Sequence, residues 1–349
     1  MNHQELIRLL TPAYGVGEAR AIVRLVMEER FGLSQTDLLL GKDTTLSADE
    51  RNDFEKIAQR LIAGEPVQYV LGFADFCGHR FSVSPAVLIP RPETEELVRA
   101  VLDSSTLNAK PSTLNAQPSN LRSALPLRSA KNAQPSTLTP PLGFAASLSE
   151  ERSTLRSALP LRSAKNAQRS TLNPHRSPTK IIDLCTGSGC IAVSLALALP
   201  EAEVIGIDIS DEALEVARLN AKNLQADNVR FFRADVLADS LDFAGPADVI
   251  VSNPPYVMQA EALQMASHVL EHEPHLALFV PDDDALRFYR AIADAGRRLL
   301  RPGGMIAVEI NSALPEETAA VFKNAGFIDS EVLNDQFGRP RILSLIHNS

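Results

Sequence analysis

Asn253-Pro254-Pro255-Tyr256 combines residue types suited to recognising a planar –NH2 group. The Asn253 side-chain oxygen and the Pro254 carbonyl are two acceptors, each able to take one N–H of an amide or exocyclic amine. Tyr256 offers a flat face on which such a group can stack, and Pro254 and Pro255 add no competing backbone N–H. A second cluster is the turn Cys185-Thr186-Gly187-Ser188-Gly189-Cys190, where glycines let the backbone pass close to a ligand. Asp208, 19 residues after Gly189, is placed to grip a ribose diol, and Asp235, followed by Val236, to accept from an adenine amino group. Each piece alone also has a plain reading, as a turn, a helix cap or a surface charge. In sequence they spell a nucleoside site beside an amide-recognising corner.

Position comes from the segments around them. Asp248 to Ser252 is a short apolar run of the kind that forms a central parallel strand, and the two prolines stop it. Lys180 to Leu184 reads as a strand leading into the glycine-rich turn. A helix over Ile191 to Leu199 then presents free N–H groups at its start. Val204 to Asp208 is a second strand, a helix capped by Ser210 starts at Asp211, and a third strand lies near Val229 to Arg233. All candidate residues therefore fall at carboxyl ends of parallel strands, where open α/β sheets bind ligands. Two cofactors suit the arrangement. A nicotinamide dinucleotide usually goes with a third glycine, a position held here by Ala192, and has no use for the Asn-Pro-Pro-Tyr corner. S-adenosylmethionine fits better, since its sulfonium methyl must point at a nucleophile held nearby.

The N-terminal part, 1–73, reads as a small helical domain. Ile22, Val23, Val26, Met27 and Phe31 form one apolar face ending at Gly32. Ser47 and Glu50 make a capping box for a helix carrying Phe54, Ile57, Ala58, Leu61 and Ile62. A linker over 74–92 contains a β-hairpin about Cys77-Gly78, and a helix begins near Glu93. Arg91, Glu93 and Glu95 serve either as ordinary charges at a helix start or as cofactor-facing groups. Toward the C-terminus, Asp283 to Leu300 reads as helical and Arg301-Pro302-Gly303-Gly304 as a turn into a strand over Met305 to Glu309. A helix over Pro315 to Ala325 and strands over Ile328 to Leu333 and Arg341 to Ile346 complete the expected α/β domain, 93–349.

Composition narrows the class. The 349 residues are 45% hydrophobic and 22% charged, with no apolar run of membrane-spanning length and no signal-like start. Cys77, Cys185 and Cys190 show neither metal-ligand nor disulfide spacing, and no metal site is expected. These features point to a cytoplasmic protein, expected to act as a monomer. From Ser104 to Lys180 there are eleven Lys and Arg against two acids, a balance of +9, so the remainder of a chain of net charge −9 carries −18. An acidic folded part argues against sequence-specific binding of duplex DNA. The stretch from about 104 to 178 is also repetitive: LRSALPLRSAKNAQ at Leu121 recurs letter for letter at Leu155. It reads as a disordered, low-complexity insertion, with a basic arm as the alternative.

Asp183-Leu184-Cys185-Thr186-Gly187-Ser188-Gly189 together with Asn253-Pro254-Pro255-Tyr256 resembles class I S-adenosylmethionine-dependent methyltransferases that modify amino or amide nitrogens. Gln68-Tyr69 to Gly72, Leu88-Ile89-Pro90-Arg91-Pro92-Glu93-Thr94-Glu95 and Glu273-Pro274 are similar to the bacterial peptide chain release factor glutamine N5-methyltransferases. Cys185 stands where that family usually has Gly, and Ile310-Asn311 where His-Gly is common. The resemblance implies a seven-stranded Rossmann-like sheet, an N-terminal domain that contacts a class I release factor, and the glutamine of its Gly-Gly-Gln loop as methyl acceptor. It implies S-adenosylmethionine held by Cys185, Thr186, Gly187, Ser188, Gly189, Asp208, Asp235, Val236 and Asn253, with Asn253, Pro254, Pro255 and Tyr256 on the substrate. Three other readings stay open. One is a ribosomal-protein glutamine or an adenine N6 as acceptor, a second is a dinucleotide oxidoreductase, and the third is a cofactor-binding scaffold without turnover.

Overall fold

Alternation of side chains along a strand decides what each face of a sheet can bury. In the computed structural model, which describes residues 1–104, 179–335 and 337–347, the apolar runs form a seven-stranded sheet with helices on both faces. The strands are β1 (Phe73–Phe76), β2 (His79–Ser82), β3 (Lys180–Leu184), β4 (Glu203–Asp208), β5 (Val229–Arg233), β6 (Ala247–Ser252), β7 (Val257–Met258), β8 (Phe279–Val280), β9 (Leu300–Glu309), β10 (Phe327–Asn334) and β11 (Pro340–His347). Around them lie α1 (His3–Phe31), α2 (Gln35–Leu39), α3 (Ala48–Ile62), α4 (Val67–Leu71), α5 (Glu95–Asp103), α6 (Cys190–Ala198), α7 (Asp211–Leu224), α8 (Ser267–His272), α9 (His275–Leu278), α10 (Arg287–Leu299) and α11 (Pro315–Asn324).

The large sheet runs β10-β11-β9-β6-β3-β4-β5, and β11 alone is antiparallel to its neighbours. Ile182, Ile250, Ile306 and Leu343 pack with Tyr289 and Ile292 of α10 and Phe322 of α11. Ile181, Val249, Val251 and Met305 point the other way, onto Leu97 and Val101 of α5 and Ile191 and Leu195 of α6. Each such side chain, taken fully out of water, contributes about 1.5–3 kcal/mol. Strand order reverses between β3 and β6, where Leu184 lies beside Ser252. The crevice outside that reversal is the ligand position of this architecture.

The helical N-terminal part buries Leu6, Leu10, Ile22, Val23, Val26 and Met27 of α1 against Phe54, Ile57, Ala58 and Leu61 of α3. The helix expected to end at Gly32 is the second half of α1, which begins at His3 and is broken at Gly15 (φ 76°). Gly32 ends it at φ 67°, with Leu33 N–H reaching back to the Met27 carbonyl. The Ser47 capping box is formed, with Glu50 N–H on Ser47 Oγ and Ser47 N–H on Glu50 Oε2. Strands β1 and β2 form the linker hairpin, turning at Cys77-Gly78.

Three expectations shift. The helix expected near Glu93 is preceded by a 3-10 turn, Pro92–Thr94, and starts at Glu95. The one expected from Asp283 starts at Arg287, after a 3-10 turn over Asp282–Asp284. Arg301 to Gly304 is not a turn ahead of a strand but a bulge inside β9: pairing with β6 jumps from Leu300–Ala247 to Met305–Val249. Within the bulge Gly303 takes φ 74°, and Arg301 is held 2.6 Å from Asp248 of the neighbouring strand. The repetitive stretch expected from about 104 to 178 lies outside the described residues, apart from Ser104, which closes α5.

Candidate functional site

The end of β3 turns sharply because Cys185 and Gly187 are both left-handed, at φ 60° and 53°. Such a φ costs a residue with a Cβ about 1–2 kcal/mol, which explains why glycine suits position 185 and what Cys185 gives up. Hydrogen bonds then lock the turn to β4. Thr186 N–H donates to the Ile207 carbonyl (3.0 Å) and Gly187 N–H to Asp208 Oδ2 (2.8 Å). Ser210 N–H takes the other Asp208 oxygen at 3.0 Å, so the carboxylate is held from two sides. Burial nevertheless pushes the Asp208 pKa upward from its ordinary value. Just below the turn, Asp183 is fully buried; Thr186 Oγ1 and Ala192 N–H both donate to its Oδ2, and Oδ1 has no partner among the described residues. Desolvation pushes this carboxyl up to about 7.

A cavity of about 330 Å³ opens over the turn. Cys185, Thr186, Gly187 and Ser188 line one side, Asp208, Asp235 and Val236 the next, and Asn253 and Pro255 the far side. Eight of the nine residues expected at the cofactor are thus brought together. Gly189 is not on the lining. A Cβ there would come 3.0 Å from Ala217 Cβ and 3.3 Å from Phe231, so this glycine serves the seating of α6 on α7 and β5. Asp235 is steadied by accepting from Leu237 N–H at 2.8 Å.

Beside the large cavity lies a second one of about 30 Å³, roughly the space of one water. The two share Leu88, Arg91, Asn253 and Ala277. Pro254 and Tyr256 face the smaller, Pro255 the larger, so the proline pair separates them and Asn253 stands at their junction.

Behind this corner is a buried network that sequence reasoning did not assign. Glu309, 2% exposed, ends β9 with both carboxylate oxygens occupied. Tyr256 OH donates to Oε1 (2.9 Å) and Thr94 Oγ1 to Oε2 (2.7 Å). Asn253 Nδ2 donates in turn to Thr94 Oγ1 at 3.2 Å, and Arg341 Nη1 lies 3.5 Å from Tyr256 OH. Burial first, and the Glu309 charge second, push the Tyr256 pKa far up, so its hydroxyl stays protonated. Tyr256, expected to present a flat face, is therefore a wall whose hydroxyl is pinned from behind. The signal was in the sequence: Glu309 is the single acid closing the apolar run Met305 to Val308.

The rim is tied too. Arg91 pairs with buried Glu273 (2.5 Å), whose second oxygen accepts from Ile89 N–H at 3.3 Å. Glu95 turns away and accepts from Cys77 N–H (2.8 Å), holding the hairpin. Asn220 of α7, fully buried, binds Ser82 N–H and both the Ser82 and Ser188 carbonyls, joining the hairpin to the glycine-rich turn. Among the described residues, no group of three or more His, Cys, Asp or Glu is placed to hold a metal ion, and no helix is long and apolar enough to cross a membrane.

Comparison with known proteins separates the chain into the same two parts. Residues 4–72 match the PrmC N-terminal domain and residues 175–341 a methyltransferase domain. A release factor glutamine methyltransferase of Bacteroides thetaiotaomicron is 36% identical over 96% of this chain and 95% of its own length. Those of Flavobacterium psychrophilum and Chlorobaculum tepidum are each 31% identical, over 98% and 92% of this chain and 96% and 87% of their own lengths. With both parts matched in order and relatives aligned almost end to end, the chain belongs to the release factor glutamine methyltransferase family.

Proposed function

We propose that the protein transfers a methyl group from S-adenosylmethionine to the side-chain amide nitrogen (N5) of the glutamine in the Gly-Gly-Gln motif of class I peptide chain release factors. The observation that carries this reading is Asn253, which stands where the two cavities meet, with Pro254 on one side and Pro255 on the other. The relatives' shared name supports the substrate.

The large cavity suits the donor. Its volume is in the range of small-molecule sites. At Gly187 a Cβ would meet nothing within 4 Å among the described residues, so the backbone is open to an incoming group. Asp208 and Asp235 supply acceptors for ribose hydroxyls and an amino group, and their negative charge suits a cationic ligand. When bound, S-adenosylmethionine supplies an electrophilic methyl on a sulfonium sulfur.

The remaining work falls to the chain. An amide nitrogen is a poor nucleophile because its lone pair is delocalised into the carbonyl. Asn253 Oδ1 and the Pro254 carbonyl accept its two N–H groups, which orients the nitrogen and stabilises the positive charge that develops there. Tyr256 bounds the amide, and Val257, Met265, Val269 and Leu278 give the small cavity apolar walls that exclude water. No general base is needed, since an N-alkylated amide cation sheds its proton readily; Glu309 is already engaged by Thr94 and Tyr256.

The test is incubation of the protein with labelled S-adenosylmethionine and a purified class I release factor, followed by mass mapping. A single methyl on the Gly-Gly-Gln glutamine is the expected product; label found only on a ribosomal protein or on nucleic acid overturns the assignment.

A further inference from the structure

Asn253 can act as an acceptor only if its oxygen, not its –NH2, faces the substrate. The two ends of a carboxamide have nearly the same shape, and the wrong one would set a donor against the donors of the incoming amide. The proton inventory behind the corner settles which end turns outward. Glu309 carboxylate has only acceptors, and its Oε2 takes the single proton of the Thr94 hydroxyl at 2.7 Å. Thr94 Oγ1 then has only lone pairs left for Asn253, 3.2 Å away, so the group facing it must be the Nδ2 amine. Oδ1 is left for the cavities. On the other side of Glu309, Oε1 takes the Tyr256 proton at 2.9 Å, so one carboxylate fixes both ends of the Asn-Pro-Pro-Tyr corner.

We propose that Thr94 and Glu309 are positioning residues that set the polarity of the Asn253 carboxamide, through a one-way hydrogen-bond chain Asn253 to Thr94 to Glu309. This rests on the amide-methylating function above. The two residues come from separate parts of the chain, Thr94 from the turn before α5 and Glu309 from the end of β9; Thr94 also lines the large cavity and Glu309 the small one, and each acts here through Asn253. The chain works while Glu309 is ionised. A proton on Glu309 would give it a donor of its own, free the Thr94 proton to turn toward Asn253, and let the amide flip. The charged and titratable groups facing Glu309 are Arg341 and Tyr256, with Tyr289 OH on its backbone carbonyl and the Glu93 charge nearby. Arg341 favours the ionised form, while burial opposes it and shifts the carboxyl upward.

Thr94→Val keeps the shape of the side chain and removes the relay; Thr94→Ser keeps the hydroxyl and removes a methyl. Steady-state methylation of a purified release factor, with S-adenosylhomocysteine affinity measured by calorimetry and Tm by scanning, separates the possibilities. The valine variant is expected to lose kcat about 10- to 100-fold, with KM for the release factor and the calorimetric affinity within about threefold of wild type. The serine variant is expected to retain kcat within about threefold even where its Tm falls below that of the valine variant. A merely structural Thr94 would make activity follow Tm across the two variants, and that result, or a fully active valine variant beside an active wild type, overturns the positioning role alone. A wild type that leaves the glutamine unmodified overturns the underlying function, and this role with it.

Discussion

Asn253→Ala removes one of the two acceptors offered to the amide while leaving the lining of the donor cavity otherwise intact. Loss of a single preorganised polar group at a developing charge typically costs 10²–10³-fold in kcat. Affinity for S-adenosylhomocysteine should change little, and unchanged turnover would reject the role. Asp183→Asn tests a different single residue. The Asp183 carboxyl, fully buried, has its pKa pushed up to about 7 by desolvation, against about 3.9 for an unfolded Asp. A raised value means the folded state binds the proton more tightly, so this group's contribution to stability is fully present below about pH 4 and is lost as pH rises through about 7. Asparagine can still accept from Thr186 Oγ1 and Ala192 N–H without carrying that charge. The difference in Tm, variant minus wild type, should therefore grow between pH 4 and pH 7; a difference flat with pH refutes the burial argument. Asn253, Asp208 and Asp235 could be singled out in the sequence because each follows an apolar strand at its carboxyl end. Glu309 stood out only as the acid closing an apolar run, and its role with Thr94 could not be assigned, since it rests on a meeting of residues 215 apart in the chain.

At the scale of elements, the hydrophobic periods gave β3, β4 and β6 to within a residue, because a strand buried on both faces leaves little choice of composition. Bounds went astray where the backbone is irregular, at the 3-10 turn Asp282–Asp284 before α10 and at the bulge beginning at Arg301 inside β9. The hairpin was legible from its turn, yet its attachment was not. Asn220 supplies that attachment, and Asn220→Ala would strand Ser82 N–H and two carbonyls that it now satisfies. A loss of about 2–3 kcal/mol is expected from leaving such groups unpaired, read as a fall in Tm, together with weaker S-adenosylhomocysteine binding because Ser188 lines the donor cavity. Wild-type Tm and affinity would remove Asn220 from the scaffold of the site. Gly206 gives a packing test at the same scale: a Cβ there would lie 2.5 Å from Phe231 and 2.9 Å from Thr186 Oγ1. Gly206→Ala should destabilise by about 1–3 kcal/mol, and a Tm equal to wild type would show that the β4–β5 face has slack.

For the whole molecule, the helical part and the sheet meet through the linker. Tyr69 of α4 donates its hydroxyl to the Val87 carbonyl at 2.6 Å, just before Leu88 and Arg91, which wall both cavities. Tyr69→Phe should cost about 1–2 kcal/mol of stability and lower methylation of the release factor more than S-adenosylhomocysteine affinity; equal effects on both would mean that the helical part does not steady the acceptor side. That the two parts exist was readable from the change of period from helical to strand-like near Phe73, but how they join depended on polar contacts that no local pattern announces.

The Arg91–Glu273 tie draws together pieces of chain 182 residues apart at the rim. It frames the mouth shared by both cavities, which Arg91 lines. A slender, unbranched side chain can enter such a frame end-on, provided its own backbone comes right up to the sill, and neighbours lacking side chains are what permit that approach. Two glycines ahead of a glutamine meet this demand, so replacing either with a larger residue in the release factor is expected to slow methylation; an undiminished rate would show that the rim does not read those neighbours.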